Sequence, residues 1–101
     1  MTKTARERNV AHTIWKFPIP ISDNFVVEMP AGATILTVQV QAKKPFIWAV
    51  VDPEKPIEQR RFALRGTGHW LHPAGWNYVG SFQMNDGVIV FHLFAGESEG
   101  G

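Results

Sequence analysis

Residues Arg60 to Pro73, reading RRFALRGTGHWLHP, gather most of the side chains in this chain that could do chemistry. They include Arg60, Arg61 and Arg65, a threonine between two glycines, two histidines and a tryptophan. Side chains alternate along an extended chain, so Arg61 and Arg65 fit one face of a strand. The turn at Gly66, Thr67 and Gly68 can curl backbone N–H groups toward an anion. Arginine adds a rigid fork of donors that matches phosphate or carboxylate. Thr67 offers a hydroxyl, and His69 or Trp70 a ring able to stack on a base. The expected ligand-binding set is therefore Arg61, Arg65, Gly66, Thr67, Gly68, His69 and Trp70, and the expected ligand an anion with a flat ring. The competing reading is a turn that needs positive φ, beside solvated arginines on an edge strand.

Other chemistries fit less well. Gly66 is not followed at the required spacing by Gly-Lys-Ser/Thr, so this is no P-loop, and no helix follows to make a dinucleotide fingerprint. His69 and His72 are spaced i, i+3, but zinc wants three or four ligands, and neither cysteine nor a nearby carboxylate completes a set. No metal and no cofactor is expected. Ser81 and His92 should be cross-strand neighbours and suggest a nucleophile with its base, yet no orienting carboxylate or nucleophile elbow accompanies them. No catalytic residue is assigned. Asp52, Glu54 and Glu58 bring carboxylates to one loop that could do acid–base work in a cleft, but Glu54 and Glu58 read as solvated, with Glu58 and Arg60 set for a weak surface ion pair.

The elements that must position these groups are strands. Runs rich in Val, Ile, Thr, Phe and Trp alternate with Pro, Gly and Asp clusters at roughly 8–12-residue spacing. Strands are expected near His12–Phe17, Asn24–Met29, Ala33–Ala42, Pro45–Asp52, Glu58–Arg65, Trp76–Met84 and Val88–Phe94. Pro18 and Pro20 end the first, because proline cannot donate to a ladder. The fold expected is all-β: a single small antiparallel sandwich or barrel of about seven strands spanning 12–95, with short polar tails at 1–11 and 96–101.

Two hairpins can be given a register. With Lys43-Lys44 as the loop, Leu36, Val38, Val40 and Ala42 share an apolar face with Ile47, Ala49 and Val51. The opposite face carries Ile35, Thr37, Gln39 and Gln41 beside Phe46, Trp48 and Val50. Trp48 then lies near Gln39 on a half-polar surface, which adds it to the ligand-binding candidates. The second hairpin turns at Asp86-Gly87 and pairs Met84 with Ile89, Phe82 with Phe91 and Gly80 with Leu93.

At 101 residues the chain has the length of one ordinary domain. A net charge of +1 argues against a dedicated duplex nucleic-acid binder. With no cysteine, disulfide scaffolds and thiol nucleophiles are excluded, and the cytoplasm is the default setting. No signal-peptide core or membrane-length apolar run is visible. Trp15, Trp48, Trp70 and Trp76 fall outside the expected core, and such a patch marks a ligand groove or an interface, homo-oligomerisation being the simplest.

The stretch Thr13 to Phe94 resembles a family of small phage and prophage proteins carrying a domain of unknown function. The resemblance rests on IWKFPI, MPAGATILTVQVQ, IWAVVDPE, the GTGH turn and YVGSFQMNDGVIVFHLF. It implies a small accessory protein acting in the host cell. One such class sequesters nucleotide-derived immune signals, so a non-enzymatic binding protein of that kind is the expected function. The alternatives are a protein-interaction module, either an inhibitor of a host protein or a minor virion component, and less so a small hydrolase.

Overall fold

Alternation of apolar and polar residues, broken by proline and glycine, gives seven strands in a computed structural model that describes residues 11–72 and 74–97. They are β1 (Thr13–Pro18), β2 (Asn24–Pro30), β3 (Thr34–Gln41), β4 (Lys44–Val51), β5 (Ile57–Gly66), β6 (Trp76–Met84) and β7 (Ile89–Gly96). There is no helix among the described residues. Every pairing is antiparallel, in a three-stranded sheet ordered β1-β4-β3 and a four-stranded sheet ordered β2-β5-β7-β6. Two separate sheets make this a sandwich and not a closed barrel.

The inner faces follow from register. Ile47, Ala49 and Val51 of β4 meet Phe62 and Leu64 of β5, Leu93 and Ala95 of β7 and Phe82 of β6 in one buried cluster. Phe62, Ile47 and Leu93 are wholly buried, as a core of apolar area withdrawn from water requires. Phe25 of β2 stacks on Phe62 at 5.6 Å between ring centres.

The β6–β7 hairpin has the expected register, with Met84 opposite Ile89, Phe82 opposite Phe91 and Gly80 opposite Leu93. Asn85, Asp86 and Gly87 all adopt positive φ in its turn, the conformation Asn, Asp and Gly tolerate best.

The β3–β4 hairpin differs in two respects. Its loop is Ala42-Lys43, both at positive φ, so Gln41 pairs with Lys44 and Trp48 faces Thr37 in place of Gln39. A bulge between Ile35 and Thr37 then inverts the faces beyond it. Ile35 packs against the core, while Leu36 and Val40, both expected inside, are exposed.

The ends also need adjustment. Gly96, expected in the C-terminal tail, is the buried last residue of β7. Residues 1–10 and 98–101, which make up most of the two expected tails, lie outside the described residues. Ala11 and His12 are exposed and precede β1 without regular structure. No helix among the described residues is long and apolar enough to cross a membrane.

Candidate functional site

Strand β5 carries two different sets of side chains. Arg61 and Arg65 project from the outer face of the four-stranded sheet, with Ala63 buried between them on that face, whereas Arg60, Phe62 and Leu64 are buried on the inner side. The paired arginines expected on one face are there, and the third arginine is on the other. Arg60 is only 6% exposed, so it is not the surface side chain that spacing suggested.

On the outer face the guanidinium of Arg61 lies over the Trp76 ring, its carbon 5.1 Å from the ring centre. To get there it crosses strand β7 at Gly96, directly opposite Trp76. A Cβ at Gly96 would come within 3.3 Å of an Arg61 side-chain nitrogen and of the Arg61 carbonyl oxygen. The missing side chain therefore leaves the channel through which the arginine reaches the indole.

A second group sits further along the same face. His92 of β7 is held at both ring nitrogens, Nε2 to the Thr67 hydroxyl at 2.8 Å and Nδ1 to the Tyr78 hydroxyl at 3.1 Å. A neutral imidazole has one donor and one acceptor nitrogen, and a hydroxyl can answer either, so the trio is self-consistent. Tyr78 also meets Phe94 edge-on at 5.3 Å. Ser81 is opposite His92 in register, as expected, but the ring bonds to Thr67 and Tyr78.

Arg65 is engaged differently. Its Nε donates to the Trp70 carbonyl at 2.9 Å, and its Nη1 donates to the carbonyls of Asp23 and Leu64. It thus ties the β5–β6 loop to the β1–β2 connection. The glycine turn is likewise partly occupied by itself. Gly66 accepts the His69 N–H at 3.0 Å, and its own N–H donates to His69 Nδ1 at 3.3 Å. Gly68 supplies the φ of +91 that the third position of a type II turn demands.

The eight expected ligand-binding residues are thus distributed over the molecule. Arg61, Arg65 and Thr67 share the outer face or rim of the four-stranded sheet, with Gly66, Gly68 and His69 in the adjoining turn. Trp70 extends from the loop and is 93% exposed. Trp48 is on the outer face of the other sheet, beside Phe46 at 5.9 Å between ring centres. The sandwich separates it from the arginines, because the two outer faces point in opposite directions.

The sequence puts Trp76 outside the core but does not bring Trp76, Tyr78 or His92 together with the arginines. The register of β6 and β7 carried the signal, because Ser81 opposite His92 puts His92 on the outward row with Phe94 and Arg65. A bulge between Tyr78 and Gly80 then turns Tyr78 outward too. Among the described residues no three His, Asp or Glu side chains converge on a possible metal position.

The fold and this face define a small all-β sandwich with an open surface of cation, aromatic ring and hydroxyl. The chain belongs to the family of the domain of unknown function DUF7352, whose model matches residues 10–100. Comparisons with curated proteins and with solved structures return no match.

Proposed function

We propose that this protein is a non-enzymatic binding module whose open four-stranded face takes a small anion carrying a flat ring, with a nucleotide-like molecule the chemical type. The observation that carries the reading is the grouping of Arg61 on Trp76 with the Thr67, His92 and Tyr78 trio on one outward face. Arg61 supplies charge for phosphate, and Trp76 and Tyr78 supply rings for a base. The hydroxyls of Thr67 and Tyr78 give directional contacts. Arg65 and the His69 turn hold the rim of that surface in shape.

Binding is preferred over catalysis because His92 is fixed between two hydroxyls, with no carboxylate among the described residues bonded to it to orient it as a base. A second copy of the chain closing over the open face would complete the enclosure, which is the basis for proposing a homo-oligomer. In a phage-infected cell such a module would sequester a nucleotide-derived host signal.

The test is to denature the protein purified from its host and identify by mass spectrometry what is released. A stoichiometric nucleotide-like molecule, lost with Arg61→Ala, supports the reading. Absence of any such molecule, together with no thermal shift from a panel of nucleotides, sinks it.

A second reading has its own support. Trp70 is far more exposed than a tryptophan serving only the fold, and exposed tryptophan is a frequent anchor of protein interfaces. Its partner would be a host protein or a virion component. Capture of one stoichiometric protein, abolished by Trp70→Ser while nucleotide binding is unchanged, would favour this reading.

A further inference from the structure

The alternation that buries Ile47, Ala49 and Val51 turns Phe46, Trp48 and Val50 of β4 to the outer face of the three-stranded sheet, each half-buried. Register places Lys16 and Thr37 on either side of Trp48, Pro18 and Gln39 beside Phe46, and Ile14 and Thr34 beside Val50. Gln41 and Lys44 form the last row, next to Lys43 in the turn. Neither aspartate nor glutamate occurs in β1, β3, β4 or the Ala42-Lys43 turn, whereas Lys16, Lys43 and Lys44 all do. All three lysines are exposed. In a protein of net charge +1, this sheet is a local basic surface with no carboxylate of its own.

The groups around Trp48 are already arranged. The Lys16 ammonium crosses the Phe46 ring, 4.6 Å from its centre, and donates to Gln41 Oε1 on the far edge strand. One cation is thereby carried from β1 toward the Lys44 row. On the β3 side, Gln39 Nε2 donates to the Thr37 hydroxyl at 3.5 Å, so an amide and a hydroxyl border the indole. Amide and hydroxyl offer both donors and acceptors to the edge of a base. An aromatic ring on a pleated surface, flanked by cations and amides, is the combination that holds single-stranded nucleic acid, with bases stacked on rings and phosphates on lysines. A duplex suits it poorly, because its bases are already stacked on one another.

We propose that the outer face of the three-stranded sheet binds a short segment of single-stranded DNA, one base stacked on Trp48 with Thr37 and Gln39 at its edge, and phosphates on Lys16, Lys43 and Lys44. Ile14 and Val50, in the apolar row beyond Trp48, suit a deoxyribose and a thymine methyl. A neutral sugar chain would also stack on the indole, but it would leave three lysines unused, so the charge favours the polyanion. This surface faces away from Arg61 and Trp76, and it stands or falls independently of the function proposed there.

The test is an NMR titration of the isotopically labelled protein with dodecathymidylate, with a GC-rich DNA duplex of the same length, dodecauridylate and maltohexaose as comparisons. The expected result is a saturable shift of the Trp48 indole N–H and of the Thr37 and Gln39 signals with the thymidylate. Read at Trp48, affinity should fall with salt at a log–log slope of about −2, three lysines contributing roughly 0.7 each. Lys16→Gln should reduce that slope to about −1.4, and Trp48→Leu should weaken binding about tenfold, the loss of one base stack. The duplex, the uridylate and the sugar should all bind more weakly, and a single nucleotide, with one phosphate for three cations, should leave Trp48 unmoved. An unmoved Trp48 with the thymidylate, an affinity indifferent to salt, or any comparison ligand binding as tightly as the thymidylate overturns the proposal. The Trp76 indole reports the opposite face separately, so failure of one surface is distinguishable from failure of the other. Should Trp48→Leu fail to fold, Lys16→Gln at an exposed position and the salt slope of the unaltered chain still decide.

Discussion

Arg61 rests on Trp76 because Gly96 lies between them. The guanidinium carbon is 5.1 Å from the ring centre, and a methyl group on Gly96 would meet an Arg61 nitrogen at 3.3 Å. A glycine near a chain end thus acquires a specific task without any unusual φ. Its role is to leave room for a cation to cross one strand and reach the next.

Gly96→Ala should therefore destabilise the fold by about 1–3 kcal/mol, the range of overpacking, because the second close neighbour is the Arg61 carbonyl and cannot swing away. Arg61→Ala should cost less, about 0.5–1 kcal/mol, the value of an exposed cation–π contact. Chemical denaturation of the two variants checks the order. A larger loss for Arg61→Ala would mean that the channel at Gly96 is not what limits the contact.

Arg65 should behave as a structural clamp. Arg65→Ala removes donors to three carbonyls, those of Trp70, Asp23 and Leu64, and should lower stability by about 1–3 kcal/mol. Arg65→Lys should recover little of this, because one ammonium cannot reproduce a fork that spans two loops. Hydrogen exchange should speed up in the β5–β6 loop and leave the β6–β7 hairpin protected. A variant with wild-type stability and loop protection would contradict the clamp.

The β3–β4 turn should be improvable. Ala42 and Lys43 hold φ of 52° and 70°, a left-handed pair that asparagine and glycine enter far more easily. Ala42→Asn with Lys43→Gly should stabilise the protein by about 1–2 kcal/mol, from the left-handed penalty of roughly 1–2 kcal/mol per residue less the entropy cost of glycine. A rise in melting temperature is the readout, and an unchanged or lower value would count against the turn as described.

These turns also mark the limit of what the chain reveals in one dimension. Alternation sufficed for all seven strands, and Asn85-Asp86-Gly87 carried enough turn chemistry to set the β6–β7 register. Ala42-Lys43 carried none, so the loop was read one residue late. The apolar parity survived because two residues, an even number, separate the two registers, and Trp48 moved from Gln39 to Thr37. The bulges at Leu36 and Val79 leave no clear mark in composition, and they decide which neighbours point outward. The site was legible in part. Arg61, Arg65 and Thr67 lie on one side of the four-stranded sheet as alternation requires. That Arg65 would spend its donors on backbone carbonyls, and that Arg60 would be buried, depended on loops and sheet packing that no local pattern encodes.

Thr67, His92 and Tyr78 should act as one unit. His92→Phe keeps a ring but removes both hydrogen bonds, leaving the Thr67 and Tyr78 hydroxyls to water. Because the trio is exposed or half-exposed, the loss of stability should be modest, about 0.5–1.5 kcal/mol. Affinity for a nucleotide-like ligand should fall by about tenfold, one well-placed contact being worth roughly 1.4 kcal/mol. Retained affinity in His92→Phe would move the binding surface away from the trio.

The most direct test of the binding face is a titration of the isotopically labelled protein with adenosine monophosphate, followed by NMR. The account predicts saturable shifts at the Arg61 side chain, the Trp76 indole N–H, Thr67 and the His92 ring, with the Trp48 indole unmoved on the opposite outer face. Shifts centred on Trp48, or none at the Arg61 and Trp76 pair, would contradict it.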